Sequence, residues 1–331
     1  MNVDLTQLWQ YAEEYGISEG TGLEEGLGEL LSRVPETLAG LLTAGSRTGL
    51  KLLAVALVCA LGRGMEQTGR ENSISAIRLA GAVAITALTM TDVAAMIGLG
   101  RDTIARMDLF STVLLPAMAV LTAVSGSITA AAARQGATVL FSKALITVMD
   151  ELLVPMVYAY VAVSCARAAC GAQGLDRLAQ GIKSLITGFL TALLVIFVGY
   201  LTASGAIAGS VDVSRVKAAR MAISRAIPVV GSILADASEA VLAGAGALKG
   251  SVGLAGLLVV LAICLTPFLH LAVQYVIYKG TAALCAVTAP AELAALIDAI
   301  GSAFGLILGM TGASALILLV SVVSAVLSVS G

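Results

Sequence analysis

Seven stretches of this chain run for close to a membrane-spanning length with almost no charge, and that pattern leaves few folds open. Crossing about 30 Å of hydrocarbon takes roughly 20 apolar residues in a helix. The stretches are residues 49–62, 79–99, 109–133, 145–169, 185–207, 252–278 and 300–329. The first is short and holds Lys51, whose ammonium has to snorkel to the interface. Pro116, Pro155 and Pro267 fall inside the third, fourth and sixth, where a missing N–H predicts kinks. With 59% hydrophobic and 12% charged residues, the chain lies outside the range of soluble domains. An aromatic content of 4% and abundant Gly and Ala favour closely packed helices over strands. The expected fold is an all-α polytopic membrane protein of about seven transmembrane helices, several of them kinked.

Charge divides the chain in two. Residues 1–36 hold eight acids against Arg33 alone, near −7, whereas the remainder is about +5. Residues 1–36 therefore read as an acidic, amphipathic, extracytoplasmic extension, and residues 37–331 as the transmembrane domain. The first 20 residues have neither a basic nor an apolar leader region. Loops after the first, third and fifth stretches hold ten bases, and those after the second, fourth and sixth hold six, namely Arg101, Arg106, Arg167, Arg177, Lys183 and Lys279. Since basic loops stay in the cytoplasm, an odd number of spans places the N-terminus outside and the C-terminus inside.

Enzyme chemistry finds no foothold. The five cysteines form no CxxC and no metal-like cluster with His270, the one histidine, and read as small buried helix residues. HExxH, triad spacings and the GxxxxGK[ST] phosphate loop are absent, so any nucleotide-driven work needs another subunit. No catalytic residue, cofactor or metal is expected.

The least generic stretch lies between the fifth and sixth spans. Val216, Ala219, Ile223 and Ile227 line one helical face and Lys217 and Arg225 lie opposite, which describes a basic amphipathic helix at a membrane surface. Pro228 breaks it, Gly231 follows, and Asp236 and Glu239 share a face of a second short helix, able to pair with Arg220 or Arg225. Arg215, Lys217, Arg220, Arg225, Pro228, Gly231, Asp236, Glu239 and Lys249 are thus candidates for partner binding or for a re-entrant gate; a solvated loop anchored to lipid headgroups is the other reading. LTAVSGSI at 121–128 and LTASGAI at 201–207 echo one another, as a parallel duplication or chance similarity of small-residue helices would.

Ionisable groups inside spans mark polar paths or paired sites, and Asp92, Asp150, Glu151 and His270 qualify, His270 as an interhelical hydrogen-bonding group. Small residues mark helix contacts: Gly205 with Gly209, Gly253 with Gly256, and Gly305 with Gly309 and Gly312. Those faces serve packing within one subunit or between copies.

The run 197–256, with FVGYLTASG, the Arg215-x-Lys217 pair, IPVVG at 227–231, Asp236-Ala237 and LKGSVGLAG at 248–256, resembles the stage III sporulation protein AE family of endospore-forming bacteria. The likeness extends more loosely over LLPAMAVLTAVSG at 114–126 and the Pro267 region. Gly250 stands where the family pattern has asparagine, and the family's cleavable leader is missing, as in a mature chain with an added Met1. The resemblance implies a membrane-embedded component of the channel joining mother cell and forespore, seated in the mother-cell membrane around the forespore. It further implies a separate ATPase subunit, other membrane proteins and ring-forming intermembrane proteins as partners. A self-contained small-molecule transporter and a passive scaffold are the alternatives.

Overall fold

In the computed structural model, residues 13, 23–65, 71–124, 140, 143–203 and 251–330 are described, and among them the secondary structure is helical throughout apart from short turns. The helices are α1 (Leu23–Ser32), α2 (Val34–Met65), α3 (Glu71–Val124), α4 (Val154–Cys170), α5 (Gln173–Ala203), α6 (Ser251–Thr288) and α7 (Ala291–Ser330). A π-helical turn, Met149–Leu153, leads into α4 and extends it back through a helical stretch from Lys143.

Six helical segments among the described residues are long and apolar enough to cross a membrane: Glu25–Gly62, Ala76–Leu114, Lys143–Cys170, Gly174–Phe197, Ala255–Thr288 and Ala291–Leu319. The expected seventh is not among them, because the second apolar stretch and the described part of the third, up to Val124, are one helix. α3 runs 54 residues, roughly 80 Å at 1.5 Å per residue, straight through the Arg101–Asp108 segment that reads as a loop. The reason is amphipathic: Thr103, Ile104, Met107, Phe110, Ser111 and Leu114 are buried at helical spacing, while Arg101, Asp102, Arg106 and Leu109 face outward. Arg101 then reaches Asp150 at 2.8 Å and Lys143 reaches Asp108 at 3.8 Å, so the polar side of α3 meets the segment leading into α4.

Two tight turns, α4–α5 and α6–α7, lie at one end of the bundle, where the end of α2 also meets the start of α3, Gly62 beside Ile77. The α4–α5 turn uses Gly171 at φ +67, whose N–H caps the carbonyl of Arg167 at 2.8 Å. A Cβ there would also strike the Arg78 guanidinium at 2.6 Å, which ties the start of α3 to this turn. Near the same end, Gly81 of α3 packs where a Cβ would meet Cys59 and Leu293 at 2.7 Å. At the opposite end Leu30 of α1 shares a cluster with Met107, Phe110 and Leu114 of α3, Leu257, Leu258, Val259, Val260 and Ile263 of α6, and Leu318, Leu319 and Val322 of α7. The described chain therefore begins and ends at the same end of the bundle, as an even number of crossings requires.

α7 is the central helix: its apolar window is 89% buried within the bundle, against 17% for α5, which lies at the periphery. An all-round apolar helix such as α7 is stable only when surrounded. Leu57, Leu61, Val83, Leu185, Val195, Val276 and Leu284 remain outward, a surface suited to lipid rather than water. Because lipid is as apolar as leucine, close packing and not hydrophobic transfer holds these helices together. Gly301 and Gly305 of α7 supply it against α6, where a Cβ would lie 3.0 Å from Tyr278 Cβ and 2.9 Å from the Tyr275 ring.

Candidate functional site

Charges within apolar helices are costly unless paired, and several of those in the described residues lie close to one another. Arg167, Lys183 and Asp298 meet at a cleft of about 430 Å³ between α4, α5 and α7, lined also by Tyr160, Ser164, Gln180 and alanines. Lys279 of α6 reaches its edge. Its Nζ lies 2.7 Å from Asp298 Oδ1 and donates to Ser302 Oγ at 2.7 Å, while Lys183 Nζ donates to the same hydroxyl at 3.2 Å. Arg167 is paired with Asp176 one turn beyond the hairpin, and Gln180 Nε2 donates to the other oxygen of Asp176 at 2.9 Å. Ser164 donates back to the Tyr160 carbonyl at 2.7 Å, a bond within the helix.

The local folding explains the convergence. Lys183 follows the start of α5 by ten residues and Lys279 precedes the α6–α7 turn by a similar distance, so both stand about 15 Å from the hairpin ends. Ser302 is at nearly the same height on α7. Four helices thus deliver cations and hydroxyls to one level of an otherwise apolar bundle.

These residues are what the sequence reading missed. Arg167, Lys183 and Lys279 are there assigned to loops, and Asp298 to none of the spans; all four lie inside the helical segments long enough to cross a membrane. Treating a span as a run with few charges ends the sixth stretch before Lys279 and starts the seventh after Asp298. The available signal was spacing: Asp298 and Ser302 stand four apart on α7 and share a helical face.

The intramembrane groups picked out from sequence are placed elsewhere. Asp92 accepts a hydrogen bond from the buried Tyr278 hydroxyl at 2.8 Å, and Tyr278 meets Phe304 edge to face at 4.9 Å. His270, partly buried on α6, lies within electrostatic range of Asp92. Asp150 and Glu151 sit in the π-helical turn, where the Val154 N–H bonds to the Met149 carbonyl five residues back, immediately before Pro155. Asp150 pairs with Arg101 and Glu151 faces outward. Of the glycines, Gly256 packs against Leu114, Gly305 against Tyr275 and Gly312 against Phe268; Gly309 is buried and Gly253 lies near the start of α6. Arg215, Lys217, Arg220, Arg225, Pro228, Gly231, Asp236, Glu239, Lys249, Gly205 and Gly209 lie outside the described residues. Among the described residues no group of three His, Cys, Asp or Glu side chains is placed to hold a metal, and none of the five cysteines is in a disulfide.

Residues 7–329 match the family described as Stage III sporulation protein AE. The protein of that name from Bacillus subtilis (strain 168) is 24% identical over 188 residues, covering 57% of this chain and 47% of that protein. The match therefore spans about half the length of the curated relative. No solved structure matches.

Proposed function

This chain belongs to the stage III sporulation protein AE family, and from that premise we propose that it is a membrane-embedded, non-enzymatic component of the channel complex joining mother cell and forespore. The observation that carries the reading is the family match along nearly the whole chain, on a bundle whose apolar helices suit a multi-pass membrane protein. In this reading the protein sits in the mother-cell membrane around the forespore, beside other membrane proteins, ring-forming intermembrane proteins and a separate ATPase. The bases Arg215, Lys217, Arg220, Arg225 and Lys249 fall in the stretch of sequence between Ala203 and Ser251, which links α5 to α6. By the positive-inside rule a stretch this basic belongs in the cytoplasm, within reach of the ATPase. Replacing Arg220 and Arg225 by Glu is expected to abolish sporulation while insertion and abundance stay unchanged. Normal sporulation in that variant would remove these residues from partner binding or gating.

The polar cleft favours a second reading, a self-contained small-molecule transporter, because clefts of roughly 300–1,000 Å³ with a few convergent polar groups hold small ligands. Purified protein in liposomes separates the two. Solute flux without partners supports the transporter; silence together with co-purification of other membrane proteins supports the complex component. A passive scaffold leaves even the assembled complex without conductance.

A further inference from the structure

The cleft between α4, α5 and α7 holds more positive charge than its own acids neutralise. Arg167 is taken up by Asp176 and Lys279 by Asp298, so Lys183 is the surplus cation. It forms no ion pair among the described residues. The acid that acts on it is Asp298, already in contact with Lys279, and Lys279 itself repels it. Both ammoniums nevertheless turn toward a single oxygen, Ser302 Oγ. Two ammoniums drawn to one hydroxyl, at a level flanked by apolar helices, leave one positive charge without a counter-ion where charge is expensive to keep uncompensated.

We propose that this cleft binds a singly charged phosphate group, with Lys183 as its principal contact and Lys279, Ser302 and Gln180 around it. Phosphate fits better than carboxylate because the ammonium, hydroxyl and amide donors come from three helices, α5, α6 and α7, an arrangement that suits oxygens set tetrahedrally more than two oxygens in one plane. Asp298 and Asp176 limit the surplus to one unit, which disfavours a dianion. The cleft is far larger than the ion, leaving room for whatever carries it. A phosphodiester headgroup of an anionic lipid and free dihydrogen phosphate share this chemistry. The inference is independent of the channel reading, since it concerns binding by the isolated chain.

The test uses the full chain, purified in detergent and stripped of lipid, titrated separately with phosphatidylglycerol and with inorganic phosphate, with diacylglycerol as the uncharged control. Saturable binding of phosphatidylglycerol alone identifies a lipid site; saturable binding of inorganic phosphate identifies a soluble ligand; either supports the proposal provided that Lys183→Met weakens it at least tenfold. Lys183→Arg is expected to retain binding, and Asp298→Asn to tighten it several-fold. Without anion, Lys183→Met should melt at the wild-type temperature or above, since it removes an uncompensated charge. No saturable binding of either anion, equal binding by Lys183→Met, or a Lys183→Met chain that melts well below wild type would each overturn the assignment.

Discussion

At Gly301 the α6–α7 contact has no room to yield. A methyl group there would lie 3.0 Å from Tyr278 Cβ and 3.4 Å from the backbone nitrogen of Lys279, neither of which is the free end of a flexible side chain. At Gly45 the added carbon would instead meet the terminal methyl of Ile277, which can rotate away. Gly301→Ala should therefore cost about 1–3 kcal/mol through overpacking and displace Lys279 from Ser302. Gly280→Ala, with nothing within 4 Å, should be neutral or stabilising by up to about 1 kcal/mol through helix propensity. Thermal unfolding in detergent checks both, and equal midpoints for the two variants would mean that α6 and α7 are not pressed together at this point. Sequence pointed to Gly305 through the GxxxG spacing with Gly309; the partner four residues earlier, Gly301, is equally spaced, and which face meets α6 depends on rotation about the α7 axis. Composition carries no information on that rotation. Asp92 illustrates the same limit. Its place inside a span was legible, but its partner, Tyr278, is 186 residues away, and long-range pairings of this kind are invisible to local periodicity.

The continuity of α3 makes a measurable difference at the scale of the element. Ala94 and Thr112 both face outward and are separated by five full helical turns, so they lie on one side of the helix. Spin labels at these positions are expected roughly 27 Å apart in a continuous helix. Two antiparallel helices joined near Arg101 would bring them to about 10 Å. Electron–electron distance measurement decides between the two, and the short distance would restore the seven-span arrangement. The apolar runs themselves located all six long helices, because length and absence of charge are local properties. Their ends were misjudged where a charge had a tertiary partner: Arg101 with Asp150 and Lys279 with Asp298. Each of those charges lies within a helical segment that the local rule closes too early. The periodic burial between Thr103 and Leu114 was the readable counter-signal, and it concerns helical phase rather than mean hydropathy.

For the whole molecule, the arrangement of hairpins fixes which parts of the chain can share an aqueous compartment. The α4–α5 and α6–α7 turns lie at one end with Arg78, and α1 and the C-terminal part of α7 lie together at the other. A membrane crossed by all six segments must therefore separate the turns from both ends of the described chain, whichever way round the protein inserts. In a cysteine-free variant, single cysteines at Ala172 and Thr288, both exposed, should react with an impermeant reagent from the same side. Cysteines at Glu36 and appended to the C-terminus should react from the other. Adding a cysteine near Arg220 then orients the assembly: labelling from the cytoplasm together with Glu36 would place the basic segment beside a cytoplasmic ATPase, as the positive-inside rule requires. Labelling of Glu36 and the C-terminus from opposite sides would mean an odd number of crossings, and the six-helix bundle could not then be the membrane-inserted form. Because the phosphate cleft is set about 15 Å from the turns, the same experiment fixes the side from which a soluble anion would enter it.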